Sequence, residues 1–244
     1  MSPIRPLIKV CGMRVGENIR AVEALGIDMM GFIFWPKSSR FVSRRPDYLP
    51  TQCKRVGVFV DEDIEQVRRM VDDYGLSVVQ LHGHESPDFV RQLRSLCGDS
   101  IAIIKAISVS SREDIAAYKD YAACVDYFLF DTKGKSVGGN GEKFDWSVLE
   151  AYKGDTPFLL SGGIGPEDVE DVKCQMSNAK CSMSDVKCSM FNVQCSMSNV
   201  KCIGIDLNSR FEMAPALKDV AALRRFLSQI AHSPYEPHSP HNPH

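Results

Sequence analysis

Eight short runs of β-branched and other apolar residues recur along this chain, and between them lie longer stretches with helical periodicity, an alternation that leaves few folds open. The strand candidates are residues 7–11, 29–34, 55–60, 78–81, 101–107, 127–131, 157–161 and 203–207. Helical patterns cover 18–25, 64–74, 87–96, 112–121, 146–152, 166–172 and 216–230, and the pattern between the second and third strands is the weakest. Because the strands are apolar almost throughout, both of their faces must be buried, as in a parallel sheet clothed by helices. Open doubly wound sheets commonly stop at about five or six strands, so eight units fit a closed (β/α)8 barrel of the TIM type in a single domain. Catalytic groups are then expected at the C-terminal ends of strands or in the loops that follow, with phosphate held after the seventh and eighth.

Two segments fall outside this plan. Residues 174–201 are four tandem heptads, each opening on a cysteine, from Cys174-Gln175-Met176 to Val200-Lys201. Apolar residues fall at their first, third and sixth places, which gives no a/d seam, so the period is not that of a coiled coil. Helix continuation and a solvated loop both remain open. The array interrupts the barrel between the seventh helix and the eighth strand, on the face opposite the expected chemistry, where a longer loop costs little to close. The Pro- and His-rich residues 232–244 are expected to be disordered, which leaves 1–231 for the barrel.

Charge and cysteine content narrow the function classes. With 29 basic and 31 acidic residues the formal net charge is −2, which argues against a nucleic-acid binder that works by phosphate neutralisation. No window approaches the ~18 apolar residues of a membrane span, and the first residues lack an apolar signal core, so a cytoplasmic location is expected. The nine cysteines are odd in number, and five recur at the heptad interval, which is a repeat and not a disulfide framework. Cys53, Cys97 and Cys124 read as packing residues of a reducing compartment.

The chemistry-bearing residues sit where a barrel needs them. Cys11 ends the first strand with Gly12 behind it, placing a thiol at the mouth; burial alone would make it a core residue. Asp131 terminates the apolar run Phe128-Leu129-Phe130, where a carboxyl is desolvated unless paired or protonated, and a neutral one can donate a proton. A helix N-cap or loop salt bridge is the plainer reading of a lone aspartate. The glycine-rich stretch 133–144 that follows is expected to be mobile; its Gly134-Lys135-Ser136 resembles the end of a P-loop, but Leu129 stands where that motif needs glycine. Gly162 and Gly163, followed by Pro166, offer backbone N–H groups beside a helix start, and Ser209 and Arg210 add a hydroxyl and a guanidinium from the next loop. Arg40, after the second strand, could hold a carboxylate in a bidentate fork. His82, after the fourth, could hydrogen-bond a substrate. His82, His84 and Glu85 lack the spacing of a metal-ligand set, so no metal is expected.

Taken in order, these motifs resemble one family. Lys9-Val10-Cys11-Gly12-Met13, Gly31-Phe32-Ile33-Phe34 with Ser38-Ser39-Arg40, Val58-Phe59-Val60, Val79-Gln80-Leu81-His82-Gly83, Phe130-Asp131 with Gly138-Gly139-Asn140-Gly141, Ser161-Gly162-Gly163 and Gly204-Ile205-Asp206 are similar to phosphoribosylanthranilate isomerase from about residue 7 to 230. The resemblance implies an Amadori rearrangement in tryptophan biosynthesis, with no cofactor or metal. It further implies Asp131 as general acid, Cys11 as general base, Arg40 on the anthranilate carboxylate, and Asp206 and His82 on the sugar or aryl amine. Gly162, Gly163, Ser209 and Arg210 would grip phosphate. Two features depart from the family pattern: Arg210 stands where many members have glycine, and the heptad array has no counterpart. The expected partner is one small phosphorylated substrate, with no nucleic acid or membrane, and a monomer or homodimer. A non-catalytic scaffold that binds soft metal or a partner through the Cys/Met repeats is the competing reading; seven-residue spacing prevents those cysteines from chelating one ion locally.

Overall fold

The computed structural model describes residues 6–133, 145–176 and 202–231. The stretch 134–144, the repeat array beyond Met176 and the tail from His232 lie outside the described residues. Eight parallel strands close into a barrel in sequence order: β1 (Leu7–Val10), β2 (Met29–Ile33), β3 (Lys54–Phe59), β4 (Val78–Leu81), β5 (Ala102–Val109), β6 (Tyr127–Thr132), β7 (Phe158–Leu160) and β8 (Cys202–Leu207). The expected architecture is therefore the observed one, with strand ends displaced by up to two residues.

Alternation along the strands divides the apolar residues into two layers. Cys11, Met29, Val56, Val58, Val78, Ile104, Ala106, Leu129 and Leu159 fill the interior. The intervening residues, among them Ile8, Val10, Phe32, Phe59, Phe128 and Phe130, pack outward against the helices. That outer layer includes Phe130, Phe158 and Tyr152, whose rings meet edge to face at 5.0 to 5.4 Å.

Helices α1 (Gly16–Glu23), α2 (Ile64–Tyr74), α3 (Pro87–Cys97), α4 (Arg112–Ile115), α5 (Tyr118–Tyr121), α6 (Val169–Met176) and α7 (Val220–Ala231) surround the sheet. Their ends follow local chemistry. The Asp63 carboxylate accepts from the backbone N–H groups of Glu65 and Gln66 at the start of α2, and Gly75 ends that helix in the left-handed region at φ 56°.

Several helical expectations are corrected. No helix joins β2 to β3: Pro36, Pro46 and Pro50 interrupt that segment, and Phe41 bridges back to Ile33. Residues 112–121 form two short helices, because the N–H groups of Ala116, Ala117, Lys119 and Asp120 bond three residues back and break the α ladder. Residues Trp146–Ala151 form a 3-10 helix. Helix α6 begins at Val169, because the Asp168 carboxylate takes the Gly165 N–H at 2.7 Å and holds Gly165 to Asp168 as a turn. Helix α7 starts at Val220, since Leu217–Lys218 (β10) pairs with Glu212–Ala214 (β9) in a small hairpin beyond β8.

Candidate active site

Period-two alternation aims a set of polar residues into the barrel. Lys9 and Cys11 share one phase of the first strand, Gln80 and His82 one phase of the fourth, and Asp131 and Asp206 lie in the same phase as their apolar inward neighbours. Strand register then decides who meets whom. Lys9 pairs with Asp206 across the β1–β8 ladder, and the Cys11 N–H continues that ladder to the Leu207 carbonyl at 2.9 Å.

Cys11 is buried directly beyond β1. Gly31 on β2 makes its position possible: a Cβ there would lie 2.6 Å from the Cys11 Sγ. Burial pushes the thiol up from its ordinary value, while the charges of Lys9 and Lys218 work in the opposite direction. Lys9 is fully buried and its Nζ stands 2.9 Å from Asp206 Oδ1. Burial opposes its charge, but Asp206 and Cys11 outweigh that effect and its pKa is raised. Lys9 is thus an ammonium under the thiol.

Asp131 sits near the end of β6, buried, with Oδ1 accepting from the Thr132 N–H at 2.9 Å. His82 Nε2 faces Asp131 Oδ2 at 3.3 Å. The Gln80 amide nitrogen donates to His82 Nδ1 at 3.1 Å, which leaves the ring proton on Nε2, the side presented to Asp131. Asp206 feels the charges of both Cys11 and Asp131, so the three residues share one site. Lys9 Nζ and Asp206 Oδ1 face each other as a buried ion pair, and the buried Thr132 Oγ1 has no hydrogen-bond partner among the described residues.

Beside them, Gly162 and Gly163 follow β7 at φ 88° and 68°, in the region that favours glycine. A Cβ on Gly162 would come 2.7 Å from the Thr132 N, so the glycine turn packs against the end of the Asp131 strand. Ser209 opens the 3-10 turn Ser209–Phe211 beyond β8. Arg210, in the same turn, forms an ion pair with Glu167 after β7 and so ties the two loops together. Arg40 is likewise already engaged: its Nε and Nη2 hold Glu212, with Nη2 2.7 Å from Oε2.

His82 and Asp131 are thus brought together, as are Cys11 and Asp206, whereas the His82, His84 and Glu85 trio does not converge. His84 pairs with Asp61 at the surface, and Glu85 with the buried Lys105 at 3.0 Å. Sequence reasoning assigned nothing to Lys9, Gln80, Glu212 or Lys218. For the first two a signal existed, since each lies two residues before a chosen residue on its strand. Glu212 and Lys218 are assembled by the hairpin after β8, which has no comparable periodicity.

Residues 8–229 match the family model described as N-(5'phosphoribosyl)anthranilate (PRA) isomerase. The chain is 44% identical over 224 residues to N-(5'-phosphoribosyl)anthranilate isomerase of Phocaeicola vulgatus, covering 92% of this chain and 97% of that one. Monomers derived from the dimeric phosphoribosylanthranilate isomerase of Thermotoga maritima superpose with a TM-score of 0.68 at 27% identity, covering 93% of this chain and 98% of that chain. A further phosphoribosylanthranilate isomerase structure, in complex with reduced 1-(o-carboxyphenylamino)-1-deoxyribulose 5-phosphate, gives 0.67 at 26% identity over 93% and 98% of the two chains. Nothing among these relatives supports a scaffold role for the repeats. The barrel, its ordered motifs and these matches agree that the chain belongs to the N-(5'-phosphoribosyl)anthranilate isomerase family.

Proposed function

We propose that Cys11 and Asp131 carry the two proton transfers by which this aldose-ketose isomerase of tryptophan biosynthesis converts N-(5'-phosphoribosyl)anthranilate to 1-(2-carboxyphenylamino)-1-deoxyribulose 5-phosphate. The observation that supports this most directly is geometric: both groups belong to inward phases at one end of the barrel, where Lys9, two residues before Cys11, pairs with Asp206 at 2.9 Å and Asp131 faces His82 at 3.3 Å. Asp131 in its acid form protonates the furanose ring oxygen, and the ring opens to a Schiff base between sugar C1 and the anthranilate nitrogen. The carboxylate left behind is received by the Thr132 N–H on Oδ1 and by His82 on Oδ2. The iminium cation adds to Lys9 and Lys218 in favouring the thiolate, and Cys11 then removes the C2 proton to give an enolamine that tautomerises to the ketone. Ketonisation places a proton on C1 and removes the C2 hydroxyl proton, so every step only relocates protons within the substrate and the chemistry calls for no external oxidant, cofactor or metal.

Arg40 holds the anthranilate carboxylate, Asp206 and His82 contact the sugar or aryl amine, and Gly162, Gly163, Ser209 and Arg210 hold phosphate. The left-handed glycines and the neighbouring Ser209 turn favour that last assignment. Residues 1–231 make up the catalytic unit, interrupted in sequence by the repeat insertion at about 174–201. Near-balanced charge, and the lack of any helix among the described residues long and apolar enough to cross a membrane, favour a cytoplasmic enzyme that engages neither nucleic acid nor lipid, as a monomer or homodimer. Turnover of N-(5'-phosphoribosyl)anthranilate by the purified protein in the presence of a chelator tests the assignment. Cys11→Ala and Asp131→Ala should each lower the rate by about two to four orders of magnitude, and undiminished turnover in either would reject its role.

A further inference from the structure

Glu212 begins β9, in the hairpin that follows the last barrel strand, and its carboxylate is buried between two cations from distant parts of the chain. Oε1 lies 2.9 Å from Arg40 Nε and 2.6 Å from Lys218 Nζ, and it also accepts from the Ala216 N–H at 3.2 Å. Oε2 accepts from Arg40 Nε at 3.0 Å and from Nη2 at 2.7 Å. Lys218 is itself fully buried and completes its shell on Asn208, at 2.7 Å to Oδ1 and 3.3 Å to the backbone oxygen. The stem of Arg40 lies over Gly12, where a Cβ would come 2.6 Å from Arg40 Cδ, so this cluster adjoins the residue that follows the Cys11 thiol.

Two features separate this arrangement from a simple surface ion pair. Glu212 occupies the side edge of the guanidinium, Nε with Nη2, and the Nη1 side takes no part in the pair. A planar guanidinium has five N–H donors, so a second carboxylate can still be held end-on. Glu212 is also tied too firmly to be exchanged for an incoming carboxylate, since Lys218 and the Ala216 N–H hold it independently of Arg40. The three side chains sum to one positive charge, which retains attraction for an anion.

We infer that Glu212 is a positioning residue for substrate recognition: by gripping the side edge of Arg40 together with Lys218, it fixes the guanidinium so that its remaining edge receives the carboxylate of the substrate's aromatic ring. The inference rests on the assignment of Arg40 to that carboxylate. Burial pushes the Glu212 carboxyl up, but the Arg40 hydrogen bonds and the Lys218 charge outweigh it and hold it below its ordinary value, so the anchor stays ionised through the neutral range.

The test compares two ligands by titration calorimetry: reduced 1-(o-carboxyphenylamino)-1-deoxyribulose 5-phosphate and the same molecule without its ring carboxyl. They are titrated into the full chain, Glu212→Gln, Glu212→Asp, Arg40→Lys and the Arg40→Lys/Glu212→Gln double variant. Glu212→Gln should weaken the carboxylated ligand about tenfold or more while changing the other by less than about twofold, the scale of one charge-assisted bidentate contact. The double variant should lose little beyond Arg40→Lys alone, because both changes act on one contact. Should loss of the charge opposite buried Lys218 prevent Glu212→Gln from folding, Glu212→Asp keeps that charge but is a methylene too short to span both cations, and the same selective loss is expected. Equal weakening of both ligands would make Glu212 merely structural and overturn the inference. So would unchanged binding in the Glu212 variants alongside weakened carboxylated-ligand binding in Arg40→Lys. If Arg40→Lys itself leaves both affinities unchanged, the carboxylate assignment of Arg40 fails, and the inference with it.

Discussion

A single methyl group placed at Gly31 should separate catalysis from folding. Gly31 lies on β2 in the inward phase, and an added Cβ would come 2.6 Å from the Cys11 Sγ and 3.1 Å from its Cα. That is about 0.8 Å inside the shortest ordinary contact, 3.4 Å, so the thiol, the end of β1 or both must move by a comparable distance. A displacement of about 1 Å in a reacting group costs on the order of a hundredfold in rate. Overpacking should also cost about 1–3 kcal/mol of stability. Gly57→Ala supplies the control. Gly57 lies on β3 in the outward phase, where its Cβ would meet Leu76 Cδ1 at 2.5 Å and Phe59 Cε2 at 2.7 Å, a clash of equal severity away from the mouth. Urea unfolding should therefore show similar destabilisation of the two variants. Initial rates of N-(5'-phosphoribosyl)anthranilate consumption, normalised to folded protein, should fall about a hundredfold only in Gly31→Ala. If folded Gly31→Ala turns over within about threefold of the parent, positional precision of the Cys11 sulfur does not limit the reaction and the base assignment loses its geometric support.

Three further outcomes follow from the site. Lys9→Met strands Asp206 in the barrel without its ammonium and should cost about 3–5 kcal/mol in denaturant unfolding; a loss under about 1 kcal/mol would show that the pair is not interdependent. Because burial favours the neutral Cys11 thiol, the thiolate accumulates only as pH rises past the ordinary thiol value of about 8.5, so alkylation of Cys11 by a small thiol reagent, referenced to Cys11→Ala, should keep accelerating through that range, and a rate already flat at pH 8 contradicts it. Replacing residues 177–201 by a short glycine linker should leave kcat and KM within about twofold, since α6 and β8 would meet on the face away from the mouth; a lost barrel or a large rise in KM would tie the array to the site.

Much of this molecule is legible in one dimension because barrel strands are local objects. Residues 78–81 and 64–74 can be delimited from the chain, since apolar runs and helical periodicity depend on near neighbours. Strand-end placement singles out Cys11, His82 and Asp131 for the same reason, since the barrel puts every strand end at one rim, whereas Asp206 enters only through the family resemblance. Pairing across the rim is not local. That Lys9 supports Asp206 follows from the β1–β8 register, and that Arg40 is held by Glu212, 172 residues away, follows from where a short hairpin falls beyond β8. The sequence alone thus determined the barrel and which residues end its strands, because periodicity and position encode both. Only the tertiary structure decided which buried cations and carboxylates neutralise one another, because charge partnership depends on distance through space and not on separation along the chain.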